Sequence, residues 1–133
     1  MTRFLLDTNI ISDVFRNPGG RVDNALRERQ NAEIGTSLIV MGEILYGLKK
    51  NQHVRGLQRF EVFTRSISVW ALEPPVETIY GEVRNACERM GKSVGPNDLW
   101  IAAHAIALDA TLVTDDRAFE HISALTVENW LRA

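Results

Sequence analysis

Cysteine is nearly absent: Cys87 stands alone among 133 residues, which excludes an intrachain disulfide and a cysteine-rich zinc site. A reducing compartment is the natural setting for such a chain. An excess of one charge is lacking too. Fifteen Lys and Arg against seventeen Asp and Glu leave a formal net charge of −2, so this is no polybasic protein whose partner follows from charge alone. A local basic surface is still compatible with that balance. With only four prolines and nine glycines there is no low-complexity linker. No apolar run is long enough to cross a bilayer; the longest, Trp100 to Val113, is interrupted by His104 and Asp109. Near the start the apolar run Phe4 to Leu6 is only three residues long before Asp7, which is no secretory signal. The expectation is a cytoplasmic protein without a membrane partner, forming one domain over residues 1–133.

What is present is an alternation of short apolar runs and helical patterns. Phe4 to Leu6 is apolar at every position, as suits a strand covered on both faces. Asn17-Pro18-Gly19-Gly20 is a turn by composition, and a helix carrying Val22, Ala25 and Leu26 follows. Ile34 to Thr36 reads as a second strand. Thr36 or Ser37 then caps a helix running through Glu43 towards Lys50. Residues 54–65 read as a further helix and Ser68 to Leu72 as a third strand. Val76, Ile79, Tyr80, Val83, Cys87 and Met90 form one helical stripe, with Pro75 in the first turn and Gly91 at the end; Cys87 is thereby a buried structural thiol. Pro96 or Asn97 opens a helix through Leu108 that is apolar on nearly every side. Thr111 to Thr114, a helical turn at Arg117 to Glu120 and a strand near Thr126 to Asn129 complete the chain. The pattern predicts an α/β fold with a mostly parallel central sheet of about five strands flanked by helices.

Against this background four acids stand in costly places. Ligands of open parallel sheets bind beyond the carboxyl ends of strands, and Asp7 and the pair Asp115-Asp116 follow two strands directly. Taken singly, each reads equally as a cap or turn residue. Glu43 is the lone charge in Leu38 to Tyr46, where a carboxylate must pair, protonate, bind a cation or reach solvent. Gly42 and Gly47 remove side-chain bulk beside it. Asp98 belongs to a first helical turn, where the dipole favours an anion, yet Leu99 to Ala103 draw that helix start inward. If Asp7, Glu43, Asp98 and Asp116 converge, bound cations must offset their repulsion; the only base close by in sequence is Arg117. Oxygen donors without clustered His or Cys favour Mg²⁺ or Mn²⁺ over zinc. The three histidines lack metal-ligand spacing and are read as structural or surface groups. Carboxylate-held Mg²⁺ is the equipment of phosphoryl transfer, and no nucleophile elbow, phosphate-binding glycine loop or dinucleotide fingerprint competes with it.

Four pieces of the chain, in this order, resemble the PIN-domain ribonucleases, in particular the VapC-type toxins of bacterial toxin–antitoxin pairs. They are Leu6 to Asn9, Glu43 to Gly47, Pro96 to Ala103 and Leu112 to Phe119. The resemblance implies a PIN-like three-layer sandwich and an acidic Mg²⁺ site of Asp7, Glu43, Asp98 and Asp116, with Mn²⁺ as a substitute ion. Asp116 matches the family's pattern of an acid two residues after the threonine. Whether the extra Asp115 shares or replaces that role stays open. Thr8, Asn9, Asn97 and Thr114 would be donors that orient carboxylates, waters or phosphate oxygens, or else simple caps. The family further implies endonucleolytic RNA cleavage by metal-activated water, a cognate antitoxin that blocks the site, and a homodimer or a larger toxin–antitoxin assembly.

Residues 49–65 hold five basic residues against Glu61 alone. Lys49, Lys50, Arg55 and Arg59 are therefore candidate RNA contacts, or equally a solvated helix face. The alternatives are a stand-alone nuclease or phosphohydrolase without an antitoxin and a catalytically silent RNA- or protein-binding module. A haloacid-dehalogenase type would want an Asp-x-Asp pair after the first strand, where Asp7 is followed by Thr8 and Asn9. A receiver-like domain would want the acidic pair at that strand and a late lysine, and none follows Lys92.

Overall fold

The uniformly apolar Phe4-Leu5-Leu6 run becomes β1 (Arg3–Leu6), the central strand of a five-stranded sheet. Leu5 and Leu6 are fully buried, as a strand covered on both faces requires. The computed structural model describes residues 2–132. Next come α1 (Thr8–Arg16), α2 (Arg21–Glu28), β2 (Glu33–Ser37), α3 (Leu38–Lys50) and α4 (Val54–Thr64). The second half holds β3 (Ser68–Trp70), α5 (Val76–Arg89), α6 (Pro96–Ala107), β4 (Ala110–Val113), a 3₁₀ turn over Arg117–His121 and β5 (Val127–Glu128). The strand order is β3-β2-β1-β4-β5, and every pairing is parallel. The architecture is the expected α/β sandwich, with the sheet wholly rather than mostly parallel. The chain winds outward from β1 through β2 to β3, then returns to start β4 on the other side of β1. That reversal opens a crevice at the carboxyl ends of β1 and β4.

Several expectations shift on contact with the structure. The largest concerns α1, a helix that the strand-exit reading of Asp7-Thr8-Asn9 did not anticipate. Ile10 and Ile11 are fully buried there, with Val14 and Phe15 packed against the core one turn on. The α5 helix starts after Pro75 instead of containing it, and ends at Arg89. Met90, placed on the buried stripe by periodicity, is therefore past the last turn and 54% exposed. Gly91 takes φ +66°, and its N–H donates to the Glu88 carbonyl at 3.0 Å to close the helix. Cys87 is buried, as expected. β3 stops at Trp70, short of Leu72, and Val69 on this edge strand is partly exposed.

His104 is structural. Its Nε2–H donates to the Ala71 carbonyl at 3.1 Å, which leaves Nδ1 to accept from the Ser37 hydroxyl at 2.9 Å. Burial lowers its pKa and keeps the imidazole neutral. Ser37 also caps α3 by accepting from the Ile39 N–H. One buried ring thus ties α6 to both the start of α3 and the segment after β3. At the C-terminus, Trp130 packs on Phe4 at 5.2 Å between ring centroids, with the Arg29 guanidinium 4.6 Å over the indole. No helix among the described residues is long and apolar enough to cross a membrane.

Candidate metal centre

Asp7 leaves β1 at its carboxyl end, and its backbone N–H continues the parallel ladder to the Val113 carbonyl at 2.9 Å. The next position on β4's side is Thr114, whose hydroxyl donates to Asp7 Oδ2 at 2.7 Å. Asp7 also caps α1, accepting from the Thr8 N–H at 2.8 Å. These two donors fix the carboxylate in a site where the residue is 5% exposed. Burial outweighs them and raises its pKa, with the charges of Glu43 and Asp116 adding to the rise.

Glu43 reaches the same place from the second turn of α3. Its Oε1 accepts from the Thr8 hydroxyl at 3.2 Å, so Thr8 joins two carboxylates through different atoms. Asp98 arrives from the first turn of α6, which begins at Pro96 with Gly95 as its cap. Burial first, then the charges of Asp7, Asp116 and Glu43, push its pKa up to about 6. Asn9 lies between β1 and β4. Its amide N–H₂ donates to Thr114 Oγ1 at 3.4 Å, and its carbonyl oxygen accepts from the Asp115 N–H at 3.1 Å.

The structure separates the two adjacent aspartates. Asp115 stays on the rim of the crevice with one carboxylate oxygen committed elsewhere: its Oδ1 accepts from Asn129 at 2.8 Å and from the Arg132 guanidinium at 2.9 Å. The Asn129 hydrogen bond, then the nearby arginine, hold its carboxyl below the usual carboxylate range. Asp116 caps the 3₁₀ turn through Oδ1, and its charge is felt at both Asp7 and Asp98. We expect Asp115→Asn to keep cleavage within about threefold of the parent, because its carboxylate anchors the C-terminal segment. Asp116→Asn should lower the rate about a hundredfold or more, as loss of a charge facing the reaction does. Single-turnover rates of the two proteins check the assignment.

Asp7, Glu43, Asp98 and Asp116 thus line a single cleft of about 580 Å³, together with Thr8, Asn9 and Asp115. Asn97 does not join them: it is exposed on α6 and outside this lining. Four further lining residues, Ser12, Asp13, Arg16 and Asn17, come from the unanticipated α1 and the residue after it. The cation of the cleft is accordingly Arg16, not the exposed Arg117 expected from sequence proximity. Of the basic candidates, Arg59 borders an adjoining cavity, Arg55 faces a neighbouring apolar groove, and Lys49 and Lys50 are exposed at the end of α3.

The donor set is all oxygen, and burial, with the neighbouring carboxylates adding to it, raises the pKa of Asp7 and Asp98, which fits a site for a hard divalent cation. Among the described residues no three carboxylate, imidazole or thiol groups stand close enough to close a coordination shell by themselves. Asp7, Glu43, Asp98 and Asp116 are the residues of the cleft that would hold such an ion.

A parallel sheet with carboxylates gathered at its switch point defines an α/β domain with an acidic cation-type site, and residues 4–125 match the PIN domain. The chain belongs to the PIN-domain family. It is 35% identical to Ribonuclease VapC2 of Rickettsia felis over 96% of this chain and 97% of that protein. It is also 35% identical to the tRNA(fMet)-specific endonuclease VapC of Shigella flexneri, covering 98% of this chain and 99% of that one. Among solved structures, VapBC2 from Rickettsia felis bound to a DNA fragment from their promoter superposes with a TM-score of 0.91 at 33% identity, over 97% of this chain and 99% of that chain. VapBC from Salmonella typhimurium, also DNA-bound, gives 0.89 at 29% identity over 98% and 99% of the two chains.

Proposed function

We propose that this chain is a VapC-type endoribonuclease, the toxin of a toxin–antitoxin pair, and that Asp7, Glu43, Asp98 and Asp116 form its metal-dependent centre. The observation that carries the reading is the convergence of these carboxylates, delivered by four separate parts of the chain, on one cleft at the β1–β4 switch point. A hard divalent cation, Mg²⁺ with Mn²⁺ as substitute, supplies acidification of the attacking water and neutralisation of phosphate charge. The protein's own part is to hold the oxygen donors still. Asp7 is clamped between the Thr8 N–H and the Thr114 hydroxyl, and Glu43 is steered by the Thr8 hydroxyl. Asn9 braces Thr114 and the backbone of Asp115, so the two strand ends keep their separation. His104 does not serve as base, since it is sequestered between Ser37 and Ala71.

The chain works in the cytoplasm as a single domain over residues 1–133, with RNA as substrate, a cognate antitoxin as inhibitor and a second copy as dimer partner. The likeness to the VapBC structures of Rickettsia felis and Salmonella typhimurium supports the antitoxin. Induced expression should arrest growth, co-expression of a small protein encoded alongside should relieve the arrest, and sequencing of RNA ends after a short induction should reveal new termini. Absence of both arrest and new termini overturns the reading. New termini with no relief by any neighbouring gene select a stand-alone nuclease instead.

A further inference from the structure

The acidic cleft does not end at the carboxylates. A second cavity of about 470 Å³ opens from it, and Thr8, Ser12, Arg16 and Glu43 line both. Two facing helical rows form its walls. On α1 these are Thr8, Ser12 and Arg16; on α3 and its cap they are Glu43, Gly47 and Asn51. Each row is spaced i, i+4, i+8, the spacing of one helix face. The Thr8–Glu43 hydrogen bond at 3.2 Å joins the rows at the carboxylate end. From there the groove runs to Arg16, with Arg59 of α4 lining the same cavity.

Three features of this groove match a nucleic-acid strand. First, Arg16 borders a cleft rich in carboxylates, yet neither it nor Arg59 belongs to an ion pair among the described residues. Two uncommitted guanidiniums at the far end of a groove that begins at an acidic metal-type centre are placed for anions arriving with the substrate. Secondly, Gly47 leaves the middle of the α3 wall without a side chain, and a Cβ there would meet no atom within 4 Å. The groove is thus open where a sugar or base must pass. Thirdly, α1 sets a length. From its cap Asp7 to Arg16 is nine residues, about 13 Å along the axis. Arg16 lines the acidic cleft and the adjoining cavity alike, so it stands where a strand passes from one to the other and can grip a phosphate flanking the one at Asp7.

We propose that this α1–α3 groove seats the single RNA strand beside the cut, with Arg16, aided by Arg59, holding a flanking phosphate and Gly47 keeping the path clear. The proposal rests on the ribonuclease reading and adds the course of the substrate. Arg16 is here a positioning residue, acting on strand binding rather than on the reacting bond. Lys49 and Lys50, on the exposed end of α3, lie off this path.

The test uses the full chain in two assays. Fluorescence anisotropy with a labelled single-stranded RNA of mixed sequence reads binding in the non-cleaving Asp98→Asn background across a salt series. Single-turnover cleavage of total tRNA reads rate and half-saturation in the otherwise native protein. Arg16→Ala should weaken RNA binding about tenfold and flatten the log–log salt slope by about 0.7. It should raise half-saturation with little change in maximal rate, and Arg16→Lys should restore most of the binding. Gly47→Gln should keep or raise the melting temperature, because it removes a helix glycine, while weakening RNA binding about tenfold or more by filling the groove. Binding and half-saturation unchanged in both Arg16→Ala and Gly47→Gln overturn the proposal and leave the groove to a protein segment. Parent protein that binds this RNA but cuts none sinks the ribonuclease reading alone, since the anisotropy arm still decides the groove.

Discussion

Asp7→Asn and Asp98→Asn should each lower RNA cleavage by about a thousandfold or more, and both proteins should melt within a few degrees of the parent. A thousandfold is about 4 kcal/mol of barrier, in the range set by preorganised charge in a water-poor site. The fold survives because neither carboxylate is a net source of stability. Asp7 is buried with its pKa raised, so a neutral amide of the same size removes a charge that burial disfavours. Its oxygen still accepts from the Thr8 N–H, and the Thr114 hydroxyl can turn to meet the new amide. Asp98 is half-buried in the first turn of α6 with its pKa raised to about 6, so asparagine again removes a charge that burial disfavours. Circular dichroism and melting curves next to single-turnover cleavage separate lost chemistry from lost structure. Cleavage within tenfold of the parent in either well-folded protein defeats the metal-centre assignment.

Chelation produces the second large effect. Excess EDTA should reduce cleavage to background, with Mg²⁺ or Mn²⁺ restoring it; undiminished cleavage in EDTA removes the metal from the mechanism. The same crowding of charge has a thermodynamic signature. The pKa of Asp98 is about 6 in the folded protein against 3.8 for an ordinary aspartate. Folded protein therefore binds more protons than unfolded protein between those values, and stability falls as pH rises through them. The contribution is complete below the unfolded pKa and lost above the folded one. In EDTA, Asp98→Asn and the parent should match in stability at about pH 4, and the variant should be ahead by about 1 kcal/mol at about pH 7, after allowance for solvent screening. Added Mg²⁺ should close or reverse that gap by stabilising only the parent. Denaturant titrations of both proteins at the two pH values read it directly. A gap that is constant with pH contradicts the charge-crowding account.

These effects hinge on acids that stand out in the bare sequence. Asp7 and Asp116 are legible because a strand covered on both faces announces its own end, and Glu43 because a lone charge in an apolar helix demands a reason. Asp98 needs the added fact that its helix start is drawn inward. The structure also removes an ambiguity that spacing left standing. Asp115 and Asp116 are neighbours in sequence, but Asn129 and Arg132 from the C-terminal segment engage a carboxylate oxygen of the first and leave the second free of them. No local pattern announces partners 14 and 17 positions away.

What sequence reading missed sits on α1. The acids at Asp7 drew attention to a strand exit, although Ile10, Ile11, Val14 and Phe15 carry an amphipathic pattern and Asp7 is itself the helix cap. With the helix went Ser12 and Arg16, whose approach to Glu43 depends on how α1 packs beside α3. Met90 erred the other way: its spacing fits the α5 stripe, but the helix ends one residue earlier. Periodicity marks a face and is blind to where the helix stops.

The central position of β1 carries a further meaning for how such a protein is made. β1 is the first strand synthesised, yet its neighbour β4 comes near the end, and the Thr114–Asp7 hydrogen bond spans 107 positions. A growing chain presents Asp7 and Glu43 long before Asp98 and Asp116 have been translated. Until β4 docks, one edge of β1 stays open and the crevice does not exist. A fragment of this chain that ends before β4 lacks Asp116 and the Thr114 hydroxyl that holds Asp7, so it should cut no RNA, and activity should first appear once β4 is in place.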